Sequence, residues 1–166
     1  MAQAAYQRLI ENQKKGELYL TQKRGDAYRL AESAINQGVR FLIGCGGDGT
    51  IHEIINAIAQ TEADLALGIL PCGKGNDLAR ALNIPTNLEL ATEILLKGGL
   101  KKIDLGKVGS HYFSTIVTCG YDAEVGRRVT EEGIQGTAAI FPGTLAYVVT
   151  AITTLPLFEA PMATIQ

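Results

Sequence analysis

Val39-Arg40-Phe41-Leu42-Ile43-Gly44-Cys45-Gly46-Gly47-Asp48-Gly49-Thr50-Ile51-His52-Glu53-Ile54-Ile55 is the stretch on which the reading of this chain turns. Val39 to Ile43 is branched and aromatic, the composition of a buried strand. Ile51, Ile54, Ile55 and Ile58 recur at the helical period. A glycine-rich turn, Gly44 to Thr50, joins the two. In open α/β sheets ligands bind at the carboxyl ends of strands. Glycines there let the backbone approach a phosphate beside the positive end of the following helix.

The same pattern returns downstream. Leu65 to Leu70 reads as an apolar strand, Pro71-Cys72-Gly73-Lys74-Gly75-Asn76 as its loop, and Asp77–Leu82 and Leu88–Leu96 as helices. Upstream, residues 2–15 read as a helix with Tyr6, Leu9 and Ile10 on one face, and Glu17–Leu20 as a short strand. Asp26 can cap a helix that runs to Gln37 and stops at Gly38. Alternating strands and helices with short connections predict an α/β, Rossmann-like parallel sheet with helices on both faces. After Gly98 the pattern changes. Lys101–Val108 and Tyr112–Cys119 read as a hairpin turning at Gly109-Ser110. A helix near Asp122–Thr130, a glycine-containing loop and an apolar helix near Thr144–Leu155 follow, and the last residues read as a further strand. The expected division is an α/β nucleotide-binding domain over residues 1–98 and the start of a β-rich substrate domain, of β-sandwich type, over 99–166. The apolar helix reads first as core packing, and functionally as a wall of a lipid pocket.

Composition narrows the function classes. Of 166 residues 46% are apolar, enough for a core, and the formal net charge is −2. That balance argues against binding nucleic acid or an anionic membrane by charge alone. Cys45, Cys72 and Cys119 lie far apart in sequence and form no Cys-x-x-Cys pair, which argues against a disulfide framework or zinc site and fits a reducing cytosol. No apolar signal core opens the chain, and Leu145–Leu155 is about half the ~20 residues a bilayer span needs. A cytoplasmic protein that contacts a membrane surface transiently is expected.

Gly44, Gly46 and Gly49 also satisfy the dinucleotide pattern G-x-G-x-x-G, with Glu62 or Asp64 as the ribose acid. Charge argues against that reading. Asp48 lies inside the turn, where its carboxylate repels a pyrophosphate unless a cation stands between them, whereas magnesium-bound ATP supplies that cation. The plain alternative is that Asp48 merely caps the helix. The second loop is not a Walker loop, since Gly75 and not Ser or Thr follows Lys74. Its Asn76 can cap the next helix and donate to a ligand, and Lys74 and Arg80 offer charge to phosphate. Two such loops at neighbouring strand ends favour one shared nucleotide site. On this reading Asp48→Ala abolishes phosphoryl transfer with little loss of folding.

Four motifs in order resemble the diacylglycerol kinase catalytic-domain family, which includes bacterial lipid kinases and is related to sphingosine and ceramide kinases. They are Gly46-Gly47-Asp48-Gly49-Thr50 with Glu53 and Asn56; Gly73-Lys74-Gly75-Asn76-Asp77-Leu78-Ala79-Arg80; Ile103-Asp104-Leu105-Gly106; and Gly120-Tyr121-Asp122-Ala123-Glu124-Val125. The resemblance implies ATP and magnesium as cofactors, a lipid alcohol such as diacylglycerol as acceptor, and transfer of the γ-phosphate to its hydroxyl. It implies ATP contacts from Thr21, from Gly46 and Gly47 through Asp48, Gly49, Thr50, Ile51 and His52 to Glu53, and from Gly73, Lys74 and Gly75. Asp48 would stand at the phosphates and metal; Asn76, Asp77 and Asp104 would be polar residues of the catalytic cleft, and Asp122 would lie near the lipid headgroup. Two positions depart from the family: Lys74 replaces a small hydroxyl residue, and His52, whose plain reading is a surface histidine, replaces an asparagine. The family's opening strand would precede Ala2 and its distal β-sandwich would follow Gln166, so the chain reads as a fragment whose activity alone is open to question. The competing readings are an NAD kinase, against which the Gly-Lys-Gly-Asn-Asp loop stands, a non-catalytic nucleotide-binding module, and an NAD-binding oxidoreductase. Nucleic acid is not expected as a partner, and a homodimer is left open.

Overall fold

A computed structural model of the protein describes residues 2–11, 16–131 and 144–160. It comprises two compact units, residues 1–115 and 116–166.

The first unit is built on two parallel strands, β1 (Phe41–Gly46) and β2 (Ala66–Pro71), paired in register from Phe41 opposite Ala66 to Gly46 opposite Pro71. Side chains alternate across a strand, so each strand serves both faces. On one face Ile69 joins Ile51 and Ile55 of α3 (Asp48–Gln60) and Leu78 and Ala79 of α4 (Asp77–Ala81). On the other, Leu70 packs on Ala91 of α5 (Leu88–Lys97), with Ile43, Cys45 and Leu88 around them. Helix α2 (Asp26–Asn36) lies on α3 through Ala27, Ala31, Ile54 and Ala57. A parallel sheet flanked by helices is thus the observed arrangement, as its buried strands require.

Helix ends follow local chemistry. Gly38, at φ +83°, donates to the Ile35 carbonyl and stops α2. Asn87 caps α5 by accepting the Glu89 and Leu90 N–H groups. Helix α1 spans Ala2–Glu11 of the expected helix, and residues 12–15 lie outside the described residues.

Several expectations change. Strand β1 runs through Gly44 and Cys45 to Gly46 instead of ending at Ile43. Gly44 belongs to the strand because α3 presses on it: a Cβ there would stand 2.6 Å from Ile51 Cδ1. Glu17–Leu20 forms no strand; it has no ladder partner among the described residues, and Glu17 and Leu18 instead line an apolar cavity of about 520 Å3 on the α5 face of the sheet. The hairpin turns at Gly109-Ser110 as read, but its strands are three residues each, β3 (Gly106–Val108) and β4 (His111–Phe113). It stays with the first unit because the buried Asn56 of α3 donates to the Tyr112 carbonyl and accepts the Tyr112 N–H, both at 2.9 Å. A side-chain amide here replaces a neighbouring strand's peptide.

The second unit pairs α6 (Tyr121–Glu131) with α7 (Thr144–Thr154), which ends in a 3-10 turn, Leu155–Leu157. Tyr121 meets Phe158 edge-on at 5.4 Å. Helix α7 buries Ala146, Thr150 and Thr154 and leaves Leu145, Val148 and Ile152 exposed. Its buried seam against α6 is thus made of small and hydroxyl-bearing side chains. The glycine-containing loop and the final expected strand lie outside the described residues, over 132–143 and 161–166. No helix among the described residues is long and apolar enough to cross a membrane.

Candidate nucleotide site

Because Gly46 and Pro71 are paired at the strand ends, the two glycine loops leave the sheet side by side. The Cys72 N–H continues the ladder to the Gly46 carbonyl at 2.9 Å. Beyond it the loops touch backbone to backbone. A Cβ on Gly47 would lie 3.0 Å from Gly73 Cα, and one on Gly73 would run into Gly47 Cα. Neither position has room for a side chain.

Asp48 crosses this seam. Its Oδ2 accepts the Asn76 N–H at 2.8 Å and its Oδ1 the Asp77 N–H at 2.7 Å. These N–H groups open α4, where no intrahelical carbonyl can reach them. Asp48 therefore caps α4 and not its own helix, whose N-cap is Gly47. Gly75 permits the approach, since a Cβ there would run into Asp48 Oδ2. Asn76 holds a left-handed backbone, φ +56°, and its buried amide is turned back on Gly73, accepting its N–H at 2.9 Å and donating to its carbonyl at 2.7 Å. The expectation that the Asn76 side chain caps the helix is thus corrected: Asp48 supplies the cap, and Asn76 shapes the loop.

The remaining residues separate into two groups. Asp48, Gly49 and Thr50 begin α3, and the first intrahelical bond is Ile51 N–H to the Gly47 carbonyl. The N–H groups of that first turn are left for an outside acceptor. The Cβ direction of Gly49 is open, with nothing within 4 Å. Lys74 is exposed on the second loop, and Asp77 pairs with Arg80 at 2.7 Å, both exposed. Leu105 packs against the core formed by Ile51, Ile69 and Leu78, which holds the exposed Asp104 close to it.

The other group is engaged elsewhere. Ile51 is buried in the core. His52 is exposed on α3. Glu53 accepts the Gly25 and Ala27 N–H groups at 2.8 and 3.1 Å, so it caps α2 as Asp48 caps α4. Thr21 is exposed in the segment leading into α2. At the turn into that helix, the Gln22 and Lys23 N–H groups bond Asp26 and hold its carboxyl below the usual range. Asp122 belongs to the second unit, where the Tyr147 hydroxyl donates to it and has its own pKa raised, first by that bond.

Sequence spacing did not reveal that Cys45 and Cys72 meet. Their Sγ atoms are 3.2 Å apart, one residue before each glycine loop. Cys45 lies within β1 opposite Leu70, and Cys72 follows β2 two residues beyond Leu70, so parallel pairing and side-chain alternation put both on one face. Among the described residues no group of three or more His, Cys, Asp or Glu stands together to hold a metal.

The profile of the diacylglycerol kinase catalytic domain matches residues 2–108, more than half of the chain. The chain is 34% identical over 140 residues to a diacylglycerol kinase of Staphylococcus carnosus, covering 83% of this chain and 44% of that protein. It is 39% identical over 107 residues to the diacylglycerol kinase of Staphylococcus saprophyticus, covering 64% of this chain and 35% of that protein. It is similar in structure to a diacylglycerol kinase from Bacillus anthracis strain Sterne, with TM-score 0.53, 33% identity, and 56% of this chain against 32% of that one. The chain therefore spans less than half the length of these relatives. The matched profile contains both glycine loops and the carboxylate that joins them, and the chain belongs to the diacylglycerol kinase catalytic-domain family.

Proposed function

We propose that the first unit is the nucleotide-binding part of an ATP-dependent lipid kinase, which moves the ATP γ-phosphate to a lipid hydroxyl such as that of diacylglycerol. The observation that carries this reading is Asp48 joining the two glycine loops, which makes one cradle from two strand ends. A cradle of this kind suits a triphosphate: open backbone at Gly49, N–H groups at the start of α3 with no intrahelical partner, and an exposed Lys74 on the second loop.

In this reading the N–H groups of Asp48, Gly49 and Thr50 hold phosphate oxygens, and Lys74 adds a mobile positive charge. Gly46, Gly47, Gly73 and Gly75 keep side chains out of the space between the loops. Each Asp48 oxygen accepts one N–H and retains acceptor capacity, so the carboxylate can share a magnesium ion while it holds α4. Magnesium-bound ATP supplies the phosphoryl group and the charge that offsets it in transfer. Asn76 fixes the second loop, and Asp77 and Asp104 present carboxylates beside the same core. Ile51 would act only through its backbone, while Thr21, His52 and Glu53 would border the nucleotide and Asp122 would lie toward the lipid headgroup. A kinase of this kind would meet its lipid at a membrane surface without spanning it.

The reaction is tested by incubating the protein with γ-labelled ATP, magnesium and mixed micelles of diacylglycerol, ceramide or sphingosine, with NAD alongside. Labelled phosphatidic acid is expected. Labelled NADP as the only product would overturn the lipid reading.

A further inference from the structure

The Cys45 and Cys72 thiols are unlike the other thiol of this chain. Cys119 is exposed, whereas Cys45 and Cys72 are both half-buried and 3.2 Å apart. Their placement follows from the ladder. Cys45 is paired with Leu70, and Cys72 lies two residues beyond Leu70 on the same strand direction, so both side chains stand on the α5 face. The Cys72 N–H bond to Gly46 fixes the backbones at that point. A disulfide needs sulfurs at about 2.05 Å and Cβ atoms near 3.8 Å. Two thiols already in contact on paired strand ends reach that distance when the strand ends draw together.

We propose that Cys45 and Cys72 form a redox-modifiable thiol pair, oxidised by a peroxide to a disulfide that ties the two glycine loops together at their base. The Cys72 sulfur attacks one peroxide oxygen, the O–O bond breaks, and Cys72 becomes a sulfenic acid as one water leaves. The Cys45 sulfur then displaces the sulfenic oxygen, forming the S–S bond and releasing a second water. In balance, two thiols and one hydrogen peroxide give one disulfide and two waters. Burial, followed by the bond to Cys72, pushes the Cys45 pKa up to about 12, which slows its attack in the second step.

The loops have little slack to absorb the new bond. Gly47 and Gly73 are already in backbone contact, so drawing Cys45 toward Cys72 rotates the loops and moves the N–H groups of the cradle. Oxidation therefore weakens ATP binding, reversibly. This consequence rests on the nucleotide reading of the site; the formation of the disulfide does not.

The test treats the purified, reduced protein with hydrogen peroxide and follows intact mass, mapped peptides and magnesium-ATP affinity. The expected result is loss of two hydrogen masses, a Cys45–Cys72 linked peptide, and at least a tenfold fall in ATP affinity, all reversed by dithiothreitol. Cys119→Ser should behave as the parent, whereas Cys45→Ser and Cys72→Ser should each form no such link. A pair that stays reduced while Cys119 is oxidised overturns the proposal. A mapped disulfide with unchanged ATP affinity overturns the coupling to the loops. Absence of ATP binding by the reduced protein, with the disulfide still forming, tells against the nucleotide reading and not against the thiol pair.

Discussion

The Asp48 carboxylate accepts the Asn76 N–H at 2.8 Å, so the first residue of α3 closes the start of α4. With the Asp77 N–H on its other oxygen, one side chain holds two loops that are 28 residues apart in sequence and adjacent in the sheet. That arrangement changes what a truncation should do. Asp48→Ala leaves two backbone donors without their partner, and unpaired donors cost about 1–3 kcal/mol in partly buried surroundings. The variant should lose about that much stability in urea unfolding, contrary to the small loss expected from the sequence. Asp48→Asn keeps one acceptor and should fall between the parent and Asp48→Ala. Equal stability of all three would mean that the bridge contributes nothing.

The glycines of the two loops should separate folding from binding. Gly73→Ala puts a methyl group into Gly47 and must part the loops, so a loss of about 1–3 kcal/mol is expected, as for overpacking elsewhere. Gly49→Ala meets nothing and sits in a helix, where alanine is favoured by up to about 1 kcal/mol. It should keep or raise the melting temperature while covering the open backbone and weakening ATP binding. A Gly49→Ala protein that melts early would show that the cradle is more crowded than described.

Asn56 offers the sharpest stability test outside the site. Its amide is buried and serves both the N–H and the carbonyl of Tyr112. Asn56→Ala strips both bonds, and at about 1–3 kcal/mol for a group left unsatisfied it should destabilise the first unit by several kcal/mol. Amide exchange at Tyr112 should accelerate first. Unchanged protection of that amide would mean that the hairpin is held by other contacts.

The same residues show how far the sequence could be read. The strand–turn–helix units, the helix stopped at Gly38 and the turn at Gly109-Ser110 were legible because each depends on local chemistry: period, cap and turn residues. The end of β1 was misplaced because glycines in a strand look like a turn until Ile51 and Ile54 are seen packing on Gly44. Glu17–Leu20 has strand composition, yet a strand needs a ladder partner, and a partner is not a local property. Asp48, Glu53 and Asn56 were picked out by their pattern, but their bonds go to Asn76 and Asp77, to Gly25 and Ala27, and to Tyr112. Those partners are set by tertiary packing, so residue type alone could not reveal them.

Acid should act on the second unit through Glu124. Bonds from Arg127 and then Arg128 hold its pKa at about 2, below the ordinary 4.5. A depressed folded pKa contributes stability that is fully present above pH 4.5 and is lost as pH falls toward 2. The pair is solvent-accessible, so the effect is small and screened by salt. Helicity in the second unit should decline between those values in the parent, and Glu124→Gln should remove that part of the decline. A variant with the parent's acid profile would assign the transition to other carboxylates.

The central claim is that the two glycine loops form one ATP site held together by Asp48. Calorimetric titration of magnesium-ATP into the parent, Asp48→Ala and Gly49→Ala proteins tests it most directly. The account predicts saturable one-to-one binding by the parent, with a dissociation constant in the range of about 1 μM to 1 mM usual for enzyme substrates. It predicts at least a tenfold loss in both variants, with Gly49→Ala still fully folded. Parent-like affinity in both variants would contradict it.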